Sequence, residues 1–121
     1  MSPWVWLAVA VLGGSFSLVP FLVDGVISAR AATEFPWATF AINISGSFML
    51  GALFGAGATG TTYLLAGTAS VGSSTTFSTW MLEARRLGDD DDRRPLLAYL
   101  SASLVIGLAA AAVGRLLGRT L

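Results

Sequence analysis

Charge is absent from three long stretches of this chain: Met1 to Val23, Phe35 to Leu82 and Pro95 to Gly114 contain no Asp, Glu, Lys or Arg. A charged side chain is costly inside a bilayer, whereas an apolar helix of ~20 residues spans its ~30 Å of hydrocarbon. The outer stretches each fit one crossing, and the middle one fits two with a turn between. Composition agrees, since 55% of residues are apolar and 12% are charged, about half the charged share of a water-soluble domain. The sequence predicts an all-α membrane protein with four transmembrane helices in a single transmembrane domain, residues 1–121.

Segment one is expected over about 4–23, with Trp4 and Trp6 at an interface and Gly13, Gly14, Ser15 and Ser17 forming a small surface for helix contact. No Lys or Arg precedes this run and it exceeds a signal-peptide core, so a cleaved signal ending near Ser28, Ala29 and Ala31 is disfavoured. Asp24 to Glu34 reads as a polar connection. Segment two is expected over about 36–54, opened by Pro36, with Asn43, Ser47, Gly51 and Gly55 recurring every four residues on one face. Gly57 to Thr62 reads as a turn. Segment four is expected over about 95–114, with Tyr99, Ser103 and Gly107 one turn apart. Glu83 to Pro95, with its arginines and Asp89 to Asp92, reads as an aqueous loop.

Segment three, about 63–83, is the informative one. From Gly67 to Thr79 it reads GTASVGSSTTFST, rich in weak helix formers, and a break is expected near 72–76. Backbone groups released at membrane depth need protein, water or an ion as partner, because hydrocarbon offers none. Broken membrane helices recur in transporters, where opened carbonyls hold cations and N–H groups face anions.

Other function classes fit poorly. Net charge is zero, which gives no basic field for nucleic acid, and His and Cys are absent. The spans hold no acid, lysine or histidine to serve as a base beside the many hydroxyls, so the chain is not expected to be an enzyme. A small proton-coupled exporter, the alternative from a different class, would place an ionisable residue within a span, and none is present. What remains is a neutral polar interior of one amide, many hydroxyls and aromatic edges, whose O–H, N–H and ring-edge groups face an anion without trapping it.

The residues Gly13-Gly14, Phe35-Pro36-Trp37 with Thr39, Asn43-Ile44-Ser45-Gly46-Ser47-Phe48, Gly72 with Thr75-Thr76-Phe77-Ser78-Thr79, Glu83, and Tyr99 with Ser103 resemble the Fluc or CrcB family of fluoride channels nearly end to end. The resemblance implies a multi-pass protein of the cell (plasma) membrane that passes fluoride out of the cytoplasm and relieves its toxicity. It implies an antiparallel, dual-topology dimer with a structural sodium ion at its centre, held by the backbone carbonyls of Gly72 and Thr75. It also implies a fluoride pathway through Asn43, Phe77, Thr79, Trp80, Tyr99 and Ser103. The sequence departs from the family pattern at Trp80, where a second pore phenylalanine is usual, near Phe21, where an arginine is usual, at Ser73 for glycine, and at Gly107 on the polar track.

With four crossings, Arg30, Arg85, Arg86, Arg93 and Arg94 fall on one side and Arg115 and Arg119 on the other. That bias favours a fixed orientation with both termini outside. The partner is therefore either a second copy or an oppositely oriented homologue, and in the latter case this chain is a degenerate scaffold subunit of a heterodimer.

Overall fold

The computed structural model describes residues 2–30, 35–75, 77–88 and 93–121, leaving the side chains of 28–30, 77, 78, 81, 86 and 88 outside the description. All regular structure among the described residues is helical. Helix α1 (Pro3–Phe16) starts under the Ser2 cap, whose Oγ accepts from Val5 N–H at 3.4 Å, with Pro3 in the first turn. It stops because Pro20 lies four residues beyond Phe16: the proline supplies no N–H to the Phe16 carbonyl, and its ring crowds that oxygen. A turn at Ser17 leads into α2 (Val19–Arg30).

The helical path thus continues through Asp24 rather than ending at residue 23, since nothing from Val26 to Arg30 breaks a helix. The sequence placed a connection there because the charge-free run ends at Asp24, yet a charged terminal turn emerging at an interface remains helical.

Helix α3 (Trp37–Gly55) ends where Gly57 adopts φ +78°. Gly57 N–H donates to the Phe54 carbonyl at 3.1 Å and Ala58 N–H to Leu53 at 3.0 Å, closing the helix with a paired cap that requires the left-handed residue. The chain returns through a short turn, α4 (Gly60–Thr62), into a nine-residue π-helix (Tyr63–Val71), then α5 (Gly72–Ser74), α6 (Phe77–Gly88) and α7 (Arg94–Gly118).

Pro3–Ile27, Trp37–Gly55 and Arg94–Gly118, of 25, 19 and 25 residues, are long and apolar enough to cross a membrane. Segment three is divided among several pieces. Its π-helix is a feature that weak α propensity announces only indirectly; there Ser70 Oγ donates to the Leu65 carbonyl five residues back at 2.8 Å.

Contacts fix the relative directions. Gly51 lies against Ala111 and Gly55 against Arg115, so α3 and α7 run parallel. The pairing of α3 with the π-helix is opposite in sense: Gly67 faces Leu50 while Gly46 faces Val71, so the π-helix runs antiparallel to α3. Helix α1 runs with the π-helix, Gly13 facing Ala69 and the Phe16 carbonyl accepting from Ser74 Oγ at 3.2 Å. The tightest packing is α3 on α7, where Gly51, Gly55, Gly114 and Gly118 let backbone rest on backbone. In lipid such close approach, more than apolar burial, drives association.

Candidate functional site

Thr39, Asn43 and Ser47 follow one another at single-turn intervals on α3 and share a face. Ser47 Oγ donates back to the Asn43 carbonyl at 2.8 Å. On α7, Ser103 follows Tyr99 by one turn, and Gly107 follows Ser103; an added Cβ at Gly107 would stand 3.8 Å from Ser47 Oγ, ordinary contact distance, so this part of α7 lies directly beside the polar strip of α3.

Beside α3 lies the interruption of segment three. Hydroxyls of its serines bond to carbonyls of the preceding turns: Ser73 Oγ donates to Ala69 at 2.6 Å and Ser74 Oγ to Ser70 at 2.9 Å. Side-chain donors compete here with the continuing ladder. Thr75 N–H still donates to the Val71 carbonyl at 3.0 Å, but Thr75 itself is extended, with φ −84° and ψ 153°. That ψ swings the Thr75 carbonyl off the preceding helix axis, while Thr75 Oγ1 donates to the Gly72 carbonyl at 3.4 Å. Gly46 makes this possible: a Cβ there would run into Thr75 Cγ2.

These pieces enclose a cleft of about 490 Å³ lined by Asn43, Ser47 and Leu50 of α3, Gly72 and Thr75 of the break, Trp80 of α6, and Ser103 and Leu104 of α7. Ser103 Oγ is buried there without a hydrogen-bond partner among the described residues. A neighbouring hollow of about 230 Å³, walled by Phe16, Val19, Ile42, Met49 and Val71 among others, is almost wholly apolar.

Five of the residues singled out from the sequence therefore meet in one place: Asn43, Gly72, Thr75, Trp80 and Ser103. Tyr99 does not line the cleft. It is fully buried behind it, its ring 6.3 Å from Trp80 and edge-on to Phe35 at 5.3 Å. Thr79 is exposed on the first turn of α6 and is not among the lining residues. Thr76 and the side chain of Phe77 lie outside the described residues.

Site-level sequence reasoning passed over the Glu83 bridge. One carboxylate oxygen, Oε1, accepts from Thr39 Oγ1 at 2.9 Å, and Oε2 accepts from the Tyr99 hydroxyl at 3.4 Å. Glu83 thus ties α6 to both α3 and α7 beside the cleft. The Thr39–Asn43–Ser47 spacing signalled one half of this arrangement; nothing local to Glu83 signalled its partners, which are 44 and 16 residues away.

Comparison with known proteins bears directly on this arrangement. The family model described as CrcB-like protein, Camphor Resistance (CrcB), matches residues 7–115. The chain belongs to the CrcB family. Among its relatives in that family is a protein of Mycolicibacterium paratuberculosis named Fluoride-specific ion channel FluC 2, 47% identical over 115 residues, which cover 95% of this chain and 94% of the relative. A Mycobacterium tuberculosis protein of the same name is 46% identical over 111 residues, 92% of this chain and 88% of the relative. One from Bacillus cereus is 43% identical over 107 residues, 88% and 91% of the two chains. The CrcB match spans every element that contributes to the cleft, from Asn43 to Ser103.

Proposed function

We propose that this CrcB-family chain forms a fluoride-selective channel that lets fluoride leave the cytoplasm passively across the plasma membrane, lowering its toxicity. The observation that carries the proposal is the cleft, in which neutral donors from three helical segments converge on a broken backbone. Fluoride is small and strongly hydrated, so a pathway must replace its water with hydrogen-bond donors yet release it again. The Asn43 amide and the Ser103 hydroxyl are such donors, and a buried hydroxyl lacking a partner is costly unless a ligand or water supplies one. The Trp80 indole adds a ring edge and an N–H to the wall. In this proposal the Phe77 ring edge and the Thr79 hydroxyl extend the pathway along α6. Tyr99 acts through position: held by Glu83, it backs the Trp80 ring.

The parallel course of α3 and α7 supports four crossings. Two neighbouring spans that run in one direction require the chain between them to return across the bilayer, and segment three is the part available. The cleft's polar wall also supports a dimer, because an open polar groove facing hydrocarbon has no partners and a second chain would cover it. We place that chain in the opposite orientation.

The Gly72 and Thr75 carbonyls fit a structural sodium ion at the dimer centre. They are neutral hard oxygens, which suit a hard cation, and the extended backbone at Thr75 turns one of them off the helix. Bound there, sodium would offset carbonyl dipoles and tie the two breaks together.

Trp80 favours one second reading, a heterodimer in which this chain is the scaffold partner and an oppositely oriented homologue supplies the better pore. Fluoride efflux from liposomes, with the purified chain alone and with such a homologue, tests both. Fluoride-specific flux from the chain alone supports the homodimer, and flux only from the mixture supports the heterodimer. No flux in either preparation defeats the channel reading.

A further inference from the structure

The cleft does not end at Ser47 and Leu50. Those two residues also wall a second hollow of about 500 Å³, which continues past Gly51, Phe54, Tyr63, Ala111 and Ala112 to Arg115. Along α3, the step from Asn43 to Gly55, the residue packed on Arg115, is ~18 Å. The groove therefore runs from mid-span to the end of α7. At its mouth the Arg115 guanidinium stands 5.1 Å from the centre of the Phe54 ring. This contact holds the charge at the groove without neutralising it. The described side-chain carboxylates are elsewhere: Glu83 bonds to Thr39, ~24 Å back along α3 from Gly55, and Asp24 is on α2.

We propose that this groove is an anion-gathering vestibule, with the exposed Arg115 guanidinium as the charge that concentrates a small inorganic anion at its mouth. The proposal rests on the channel reading and adds a capture step to it. Neutral donors in the cleft bind an anion only on contact and exert little pull over distance. The Arg115 charge, with Arg119 one turn further out on the same end of the chain, raises the local anion concentration while staying clear of the pathway, so the ion is attracted but not trapped. In water, a charge ~7 Å from a passing anion enriches it about threefold.

Fluoride flux in liposomes at low ionic strength tests this. Arg115→Gln is expected to lower flux about threefold at sub-saturating fluoride and to leave it unchanged at saturation, while Arg115→Lys retains most of it. The difference should vanish in ~1 M spectator salt, where the screening length falls to ~3 Å. The chain has no cysteine, so Arg115→Cys gives a single thiol; a positively charged ethylammonium thiosulfonate reagent should raise its flux and a negatively charged ethylsulfonate reagent should lower it.

Equal flux after both reagents overturns the proposal and is what an arginine that merely anchors on lipid phosphate predicts. Failure of the thiol to react from water also overturns it. If either variant does not assemble, the unsubstituted protein decides: sub-saturating flux that is indifferent to ionic strength refutes the vestibule charge. A wild-type protein that carries no fluoride at all instead removes the channel reading beneath it.

Discussion

Gly51→Ala puts the α3–α7 contact to the test. A Cβ at Gly51 would fall on the Ala111 carbonyl oxygen and lie 2.9 Å from its carbon and 3.0 Å from Ala111 Cα. Carbon atoms approach comfortably at ~3.5 Å, so α7 must retreat by at least ~0.6 Å, and further where the oxygen is met. Overpacking of this kind costs about 1–3 kcal/mol. Alanine recovers about 1 kcal/mol through its better helix propensity, leaving a net loss of about 0–2 kcal/mol, so the contact shows as a deficit of about 1–3 kcal/mol against an unobstructed glycine-to-alanine change. Gly14→Ala is the matched control, because nothing lies within 4 Å of its added Cβ; it should be neutral or stabilising by up to ~1 kcal/mol. Unfolding in detergent micelles, followed by the fluorescence of the four tryptophans, reads the difference. The separation should also widen the cleft, since Asn43 is two turns from Gly51, and so lower fluoride flux. A Gly51→Ala protein as stable as Gly14→Ala would refute the argument that backbone contact between α3 and α7 holds the cleft together.

Other expectations follow from individual contacts. Ser103→Ala removes a donor to a charged ligand, worth about 1.5–3 kcal/mol, so flux at low fluoride should fall ten- to a hundredfold with little change in stability, measured by liposome efflux against an unfolding curve. Thr39→Val strips the 2.9 Å donor from Glu83 and should destabilise the fold by about 1–3 kcal/mol in the same micellar assay, because a partly buried carboxylate loses a partner. Phe77→Ile should sharply reduce fluoride flux while size-exclusion mobility stays that of the intact assembly; unchanged flux would make the ring packing alone. Replacing sodium by a large organic cation should lower the dimer's dissociation temperature, and indifference to the exchange would count against the Gly72 and Thr75 carbonyls as its site.

Helix class and membrane residence were legible along the chain because both depend on local composition: charge-free runs set the spans, and Pro36 and Gly57 punctuate them by fixed backbone chemistry, whereas the break before Pro20 inside the first span was passed over. The weakness of segment three was legible for the same reason, since glycine, serine and threonine are poor helix formers wherever they occur. The face carrying Asn43 and Ser47 followed from helical periodicity. Tertiary structure alone decided what those faces meet. The contact of Gly46 with Thr75 and the Glu83 bridge to Thr39 and Tyr99 each join residues far apart in the chain. Periodicity assigns a residue to a side of its own helix but contains no term for the neighbouring helix's distance or rotation. Tyr99 shows the consequence: one turn from Ser103, it shares that residue's face by sequence, yet the packing of α6 across it turns it into a buried support while Ser103 remains at the cleft.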